Sequence, residues 1–386
     1  MAVTAAEMGS DPVHHARAAR LERVRRRMED LEVDALLLSH GADLPWLTGY
    51  RAMALERLTL LVLPVAGEAV LFVPALEAPR LPVMGIQVTV RPWGDTEDPI
   101  ELASALLPDA PGARLALSAR AWAATLLGLQ QELAKATFLN ASTVTAPLRA
   151  VKDHAEVTAL RLAAEAADRV AVALQAGEIP LVGRTELEVS RHISERLLAE
   201  GNHHVNFAIV GSGPNGASPH HDAGERRIGR NEVVVCDFGA ELVVPGEDVG
   251  YCSDITRTVV TGDPGDEVRR CYEVLRLAQS TAVASACAGV AAEDVDAAAR
   301  NVIAAAGFGE QFIHRTGHGI GIEEHEDPYV VAGNRTALVE GHAFSVEPGI
   351  YFPGRFGLRL EDIVVVGRDG PEPLNRVDHD LVVVDT

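Results

Sequence analysis

The sequence predicts a two-domain protein in which a smaller α/β domain, residues 1–150, precedes an α+β domain, residues 151–386. Three observations predict this arrangement. The chain has 386 residues, which is more than one ordinary hydrophobic core contains. Short helical and strand-like segments alternate up to about residue 150. After that point, two long helices lead into strands that are set among only two further helices, which is α+β order.

The composition is that of an ordinary globular protein and narrows the choice of partners. The net charge of −21 argues against nucleic acid or an anionic membrane as a partner. The four cysteines form no Cys-x-x-Cys pair, so the sequence indicates neither a zinc knuckle nor a disulfide framework. The N-terminal segment lacks the apolar core of a signal peptide, and no apolar stretch reaches the roughly 18–20 residues that a membrane span requires. We therefore expect a cytoplasmic protein.

The first domain is predicted to begin with a loose polar leader, residues 1–16, followed by a basic amphipathic helix, Ala18–Leu31. The apolar run within Asp34–Ser39 predicts a strand, and the runs Leu58–Val65 and Ala69–Val73 predict two more strands joined by a turn. The remaining predicted elements are helices over 99–107 and 119–134 and strands over 114–117 and 137–140.

The second domain is predicted to begin with a long helix that starts near Asp153 and ends near Gly177. The next helix opens with the capping box Thr185–Glu188 and ends at Gly201. A largely antiparallel sheet is expected after it. The predicted strands cover 204–210, 232–238, 255–260, 342–346, 362–366 and 380–384, and the predicted helices cover 266–287 and 292–306, the second followed by Gly307.

Two aspartates are placed by this pattern at neighbouring strands. Asp237 follows four apolar residues and precedes Phe238-Gly239, which predicts a buried strand with an acid at its end. Asp254 lies where the chain enters the strand 255–260, and a hairpin of the two strands puts both carboxylates at the same end of the sheet. Two like charges in an apolar site stay ionised only when a cation compensates them, which points to a metal.

Three further residues complete a candidate ligand set. His318 lies between glycines, while Glu347 follows the strand 342–346 and Glu361 begins the next strand. Any one of these residues, taken alone, is more often a turn or core residue, so the prediction depends on the set. Four carboxylates and an imidazole suit Mn²⁺, with Co²⁺ or Zn²⁺ as alternatives. Five ligands exceed what one catalytic ion needs, which favours a pair of ions.

The motifs around these residues resemble those of the M24-type metallopeptidases of the pita-bread fold, which include Xaa-Pro dipeptidases (prolidases) and aminopeptidases P. The resemblance covers essentially the whole chain, since residues 18–150, with Trp46–Tyr50, are similar to the creatinase-type N-terminal domain. The segment Leu148–Glu156 is similar to the family's start of the catalytic domain. The motifs are Asp237-Phe-Gly239, Ser253-Asp-Ile-Thr-Arg257, Gly317-His-Gly-Ile-Gly321, His325-Glu326, Val346-Glu-Pro-Gly-Ile-Tyr351 and Arg359-Leu-Glu-Asp362.

The resemblance implies a role for each ligand. Asp237 would hold one ion, Asp254 and Glu361 would bridge both, and His318 and Glu347 would complete the other site. Water between the ions would be the nucleophile, with Glu347 also acting as its general base and as the proton donor to the departing imino nitrogen.

The resemblance also implies residues that act on the substrate. His220 and His325 would bind it and stabilise the oxyanion, with His221 as the alternative to His220. His314 would either support the site or only pack against it. Arg359 would orient carboxylates through a charge-assisted hydrogen bond.

Two departures from the family pattern bear on substrate choice. The stretch 241–250 is longer than usual and adds Asp248, which we interpret as a loop residue and not a ligand. Tyr329 stands where many prolidases carry an arginine that binds the dipeptide's carboxylate. We expect Arg51 to supply the missing cation, with Arg57 as the second choice.

The resemblance implies a metal-dependent hydrolase of Xaa-Pro dipeptides, and by analogy with similar proteins we expect a homodimer. Without a carboxylate-binding cation, longer Xaa-Pro peptides would pass, as in aminopeptidase P. A metal-free binding protein and a creatinase-like enzyme on the same fold are disfavoured, because all five ligands are present.

Overall fold

The computed structural model describes residues 12–82, 84–244 and 249–384, with side chains from residue 16 onward. Asp248 and most of the predicted leader lie outside the described residues. The described residues divide into two compact units, one formed mainly by the residues up to Arg149 and one formed mainly by those from Ala150 onward. Among the described residues, no helix is both long enough and apolar enough to cross a membrane.

The first unit is built around a six-stranded mixed sheet in the order β4-β3-β2-β1-β5-β6. Its helices are α1 (Pro12–Asp30), α2 (Asp43–Thr48), α3 (Pro99–Ser104), α4 (Ala123–Glu132) and α5 (Ser142–Ala150), and its strands are β1 (Ala35–Leu38), β2 (Leu60–Pro64), β3 (Ala69–Pro74), β4 (Val88–Trp93), β5 (Arg114–Leu117) and β6 (Thr137–Asn140). The four residues of β1 are all buried, which explains their continuous apolar run.

Three elements of this unit, α2, α5 and β4, escaped prediction. β4 lies at the edge of the sheet, pairs only with β3 and contains Pro92. A strand that is paired on one side and mostly solvent-accessible lacks the alternating or continuous apolar pattern by which strands are recognised.

The second unit contains two sheets and a hairpin, each joined mainly by antiparallel pairs, as the sequence predicts. The first sheet has the order β18-β10-β8-β7, with β9 paired to β8, and the second has the order β12-β11-β13-β16-β17. The helices are α6 (His154–Gln175), α7 (Glu186–Ala199), α8 (Gly265–Ser285) and α9 (Ala292–Ala305), and the strands are β7 (His204–Ser212), β8 (Val233–Leu242), β9 (Tyr251–Cys252), β10 (Ile255–Val260), β11 (Gly317–Gly319), β12 (Glu326–Val330), β13 (Ala343–Val346), β14 (Gly349–Phe352), β15 (Phe356–Arg359), β16 (Asp362–Gly367), β17 (Gly370–Pro373) and β18 (Val382–Val383).

Each sheet of the second unit packs its own pair of helices. Apolar residues of α6 and α7 share a core with β7, β8 and β10, and those of α8 and α9 share a core with β13 to β16. The predicted capping box at the start of α7 is present, since Thr185 Oγ1 accepts from Glu188 N and the Glu188 carboxylate accepts from Thr185 N. Gly307 follows the C-cap of α9 with a φ of 89°, as the sequence predicts.

Candidate metal centre

Asp237 lies in the middle of β8, not at its end. β8 continues to Leu242 because it is paired on both sides, with β7 and with β10. The expectation that Asp237 ends its strand is therefore wrong, since a strand buried on both faces does not stop at a single acid. Asp237 stands opposite Thr256 of β10, and Thr256 in turn forms an isolated bridge with Glu361, the residue directly before β16.

Asp254 and Glu361 converge through this bridge. Asp254 precedes β10, and Glu361 lies directly before β16. Thr256 Oγ1 donates a hydrogen bond of 2.6 Å to Glu361 Oε2, which fixes that carboxylate. Ligand atoms of Asp254, His318 and Glu361 all lie within 4.8 Å of one another, and the three residues are buried.

The glycines beside His318 are required by close approach of the neighbouring strands. β11 lies between β12 and β13, and a Cβ on Gly317 or Gly319 would overlap the carbonyl oxygens of Ser345 and Asp327, respectively. The Ser345 hydroxyl also accepts a hydrogen bond of 3.1 Å from the backbone N–H of His318. The glycines thus let the imidazole be held tightly from both sides.

The imidazole of His318 presents an unprotonated nitrogen to two carboxylates. Nδ1 donates to the carbonyl oxygen of Gly319 at 3.2 Å, so the proton resides on Nδ1. Burial, followed by the charge of His325, lowers the pKa of His318 to about 3, so the ring is neutral. Its Nε2 lies 3.3 Å from Glu347 Oε1 and 3.7 Å from Asp254 Oδ2. Lone pairs that converge on one point repel one another, and a bound cation removes that repulsion.

The pKa values and buried oxygen atoms of the carboxylates also indicate a cation-binding site. Burial and then the charges of the other acids raise the pKa values of Asp254 and Glu361 well above their usual range. Burial also raises the pKa of Glu347 to about 7, against the opposing effect of Arg359. Among the described residues, Asp237 Oδ1 and Asp254 Oδ1 are buried without a hydrogen-bond partner. This donor set of oxygens and one imidazole nitrogen fits divalent ions.

Arg359 ties several parts of the site together. Its Nη2 donates to Asp237 Oδ2 at 2.5 Å, and its Nε donates to Thr256 Oγ1 at 3.1 Å. Its Nη1 donates to Tyr351 Oη and to the carbonyl oxygen of Pro219, both at 3.0 Å. The carboxylate-orienting contact expected of Arg359 is thus present, on a side chain that is 2% exposed.

His314 continues this network through Tyr351. His314 Nδ1 donates to the Arg315 carbonyl oxygen at 2.7 Å, so Nε2 of the neutral ring accepts a hydrogen bond of 2.9 Å from the Tyr351 hydroxyl. Burial and then Arg359 lower the pKa of His314 to about 4, which keeps the ring neutral. His314 therefore supports Tyr351, which positions Arg359.

The five candidate ligands, together with His314 and Arg359, line a cavity of about 600 Å³ within the second unit. His220 and His325 are on its wall, and the ring of His325 lies 3.9 Å, centroid to centroid, from that of His318. His221, the alternative to His220, instead bonds the buried Glu186 at 2.8 Å. The lining residues are Phe207, Ile209, Pro219, His220, Asp237, Asp254, His314, Arg315, His318, Glu324, His325, Glu347, Arg359 and Glu361.

The residues predicted to select the substrate are not among the described residues that line this cavity. Tyr329 is absent from the described lining of the cavity, and its ring lies under Arg315, whose Cζ is 4.5 Å from the ring centroid. Arg51 is exposed in the first unit, beside Glu77 and Arg80 in a small pocket. Arg57, also in the first unit, pairs with Asp95 at 3.3 Å.

Two family models match the chain. Residues 20–151 match the creatinase/prolidase N-terminal domain, and residues 158–368, more than half of the chain, match metallopeptidase family M24. The chain belongs to metallopeptidase family M24. It is therefore a metallopeptidase in which a creatinase-type domain precedes the pita-bread domain, as the sequence predicts.

Individual M24 proteins resemble the chain over almost its full length. The probable dipeptidase PepE of Mycobacterium tuberculosis is 44% identical over 370 residues, which cover 95% of this chain and 96% of that protein. The crystal structure of dipeptidase PepE from Mycobacterium ulcerans superposes with a TM-score of 0.89 at 43% identity and covers 97% of this chain and 100% of that one. The prolidase of Thermococcus sibiricus superposes with a TM-score of 0.88 at 36% identity, with the same two coverages.

Three residues of this M24 site were given no role from the sequence, although two of them lie inside quoted motifs. Thr256 and Tyr351 are in the motifs 253–257 and 346–351, but their hydroxyl contacts reach residues about a hundred and about forty positions away. Arg315 lies three residues before His318, close enough for its proximity to the histidine to have suggested a place in the cavity.

Proposed function

We propose that this M24 metallopeptidase hydrolyses the Xaa-Pro bond and prefers dipeptides. The observation that carries the proposal is the neutral imidazole of His318, whose Nε2 lies 3.3 Å from the carboxylate of Glu347 and 3.7 Å from that of Asp254. The names of the similar proteins, dipeptidase PepE and prolidase, support the choice of substrate. An apolar part of the cavity wall, formed by Phe207 and Ile209, is suited to a prolyl ring.

Five residues would hold two divalent ions, with Mn²⁺ as the first expectation and Co²⁺ or Zn²⁺ as alternatives. Asp237 would serve one ion, Asp254 and Glu361 both, and His318 and Glu347 the other. When bound, such ions supply Lewis acidity, which activates water and polarises a carbonyl oxygen. Cations among these acids would also lower the raised carboxylate pKa values, because opposite charge favours the ionised form.

The proton moves through Glu347. A carboxylate oxygen of Glu347 accepts a proton from the attacking water and then passes it to the proline nitrogen, which needs it to leave. Ser345 Oγ, 3.3 Å from Glu347 Oε1, orients this carboxylate. Ring N–H groups of His220 and His325, both on the cavity wall, donate to the oxyanion as it develops.

The test compares two substrates on one preparation. Purified protein is stripped with a chelator, reloaded with Mn²⁺ and assayed on Ala-Pro and Gly-Pro-Ala, with Ala-Ala as the control without proline. Hydrolysis of Ala-Pro only after reloading, with a higher kcat/KM than for the tripeptide, is expected. A higher kcat/KM on the tripeptide would assign aminopeptidase P behaviour instead, and hydrolysis insensitive to the chelator would exclude the metal mechanism. Cytoplasmic location and a homodimer stay predictions.

A further inference from the structure

Two of the described residues that line the cavity are arginines, and they differ in their partners. Arg359 is buried and donates hydrogen bonds to Asp237, Thr256 and Tyr351. Arg315 is only half-buried, and its guanidinium makes no hydrogen bond or ion pair within the part of the chain that the structure describes. Its N–H groups therefore remain available to a ligand in the cavity.

Arg315 is nevertheless held in place. Its guanidinium stacks on the ring of Tyr329, 4.5 Å from Cζ to the ring centroid, and such cation–π contacts orient an arginine without using its hydrogen-bond donors. Arg315 also lines the same cavity as His325 and Glu347, the groups proposed to act on the scissile bond. The planar donor face is thus oriented near the proposed bond-cleaving groups.

We propose that Arg315 binds the C-terminal carboxylate of the dipeptide substrate. This inference rests on the proposed function and names the residue that makes the site prefer dipeptides. A dipeptide places a full negative charge one residue beyond the scissile bond, in a cavity that already contains Asp237, Asp254 and Glu361. An unpaired carboxylate there is costly, whereas a guanidinium pairs with it through two parallel hydrogen bonds. A longer peptide carries a neutral amide at that position and gains no such pair.

The same proposal gives Tyr329 a role through Arg315. In place of direct contact with the substrate, the ring positions the guanidinium, so Tyr329 is a positioning residue. The assignment of the carboxylate to Arg315 also replaces the expectation that Arg51 of the first unit supplies the cation.

The experiment measures charge recognition directly. The Mn²⁺-loaded wild type, Arg315→Gln and Arg315→Lys are assayed on Ala-Pro and on Ala-Pro-amide, which lacks the carboxylate. Arg335→Gln is the matched control, since Arg335 is 87% exposed on the same unit and does not line the cavity. Arg315→Gln should raise KM for Ala-Pro by about 10- to 100-fold with little change in kcat, and should leave Ala-Pro-amide within about twofold. Arg315→Lys should recover part of the loss.

A binding measurement checks the same point without turnover. Inhibition by proline should weaken in Arg315→Gln by a similar factor, while inhibition by prolinamide should not change. Equal effects on the acid and the amide, or no effect on either, would overturn the assignment, and a selective loss in Arg51→Ala instead would return it to the first unit. A wild type that hydrolyses no Xaa-Pro peptide would overturn the proposed function and this inference together, whereas an active wild type with an unchanged Arg315→Gln overturns this inference alone.

Discussion

Lys152 and Glu326 form an ion pair of 2.6 Å between Nζ and Oε1, and their side chains are only 1% and 7% exposed. Lys152 lies between α5 and α6, and Glu326 directly follows His325 and begins β12. The pair therefore connects the first residues of the second unit to the strand that carries a proposed substrate-binding histidine. An ion pair at this depth is expensive to break on one side only.

Removing one partner of this pair should destabilise the protein more than removing both. We expect Lys152→Met to lower the free energy of unfolding by about 3–5 kcal/mol, because the carboxylate of Glu326 loses its buried countercharge. The double variant Lys152→Met/Glu326→Gln should recover at least half of the loss. Urea unfolding of the metal-free proteins measures both values. A double variant as unstable as the single one would show that packing of the Lys152 stem, and not the charge, is responsible.

Arg359 should be irreplaceable even by another cation. Lysine keeps the charge but cannot donate in the fixed planar directions that reach Asp237, Thr256 and Tyr351 together. We expect Arg359→Lys to weaken Mn²⁺ binding by about 10- to 100-fold, the usual effect of losing a group that orients a metal ligand. Competition with a chromogenic chelator measures the affinity.

The control for this substitution is Arg355→Lys. Arg355 pairs with Glu267 on the surface, where the side chains are 52% and 54% exposed, so its replacement should leave Mn²⁺ affinity unchanged. Equal affinities for Arg359→Lys and Arg355→Lys would mean that the hydrogen bond to Asp237 does not orient that ligand.

The stability of the metal-free protein should fall as pH rises towards neutrality. Burial raises the pKa of Glu347 from 4.5 to about 7, so the folded state binds this proton more tightly than the unfolded chain does. The resulting stabilisation is complete below about pH 4.5 and is lost as pH rises through about 7, a change of about 3 kcal/mol. Urea unfolding with a chelator present, between pH 5 and 8, measures this dependence.

Glu347→Gln isolates this contribution. Asp254 and Glu361 have pKa values raised in the same direction, so part of the pH dependence should persist in the variant. The difference between wild type and variant is then the contribution of Glu347 and should grow with pH up to about 7. Parallel stability curves would show that Glu347 is not buried in the metal-free protein.

The candidate ligands were recognisable because the sequence marks them locally, and they stay candidates for holding a metal. Asp237 follows a buried apolar run and His318 is framed by glycines, and both signals survive without knowledge of the fold. Contacts between residues that are far apart in the chain leave no such local pattern in the sequence. Thr256 acts on Glu361 only because β10 meets the second sheet at that point, and nothing near Thr256 in the sequence distinguishes it from another strand threonine.

Several short strands and edge strands were not predicted from the sequence, for a related reason. β11 has three residues, two of them glycine, so no apolar periodicity reveals a strand, although its pairing with β12 and β13 positions His318. The role that we propose for Arg315 was also hidden, because it depends on its guanidinium making no hydrogen bond to the residues that the structure describes. Patterns of residue type identify groups that carry chemistry, whereas the commitment of a side chain to its neighbours appears only in the folded structure.

Replacing Asp254 by asparagine should have opposite effects with and without metal. A carboxylate oxygen of Asp254 lies within 4.8 Å of ligand atoms of both His318 and Glu361. The pKa of Asp254 is raised by burial and by the surrounding acids. Removing its charge relieves that repulsion. At pH 8, the free energy of unfolding of the metal-free variant should therefore exceed that of the metal-free wild type by at least about 1 kcal/mol. Saturating Mn²⁺, at about 100 times its Kd, should stabilise the wild type by about 2.7 kcal/mol and the variant by much less. Hydrolysis of Ala-Pro should be lost in the variant.

Thermal unfolding with a chelator or with Mn²⁺, together with metal analysis, measures each of these effects. Asp263→Asn is the matched control, because Asp263 is 77% exposed and pairs with Arg269 on the surface. It should follow the wild type under both conditions. If Asp254→Asn instead destabilised the metal-free protein and kept the full Mn²⁺ response, Asp254 would be a structural hydrogen-bonding residue and the five-ligand assignment would lose one of its two bridging members.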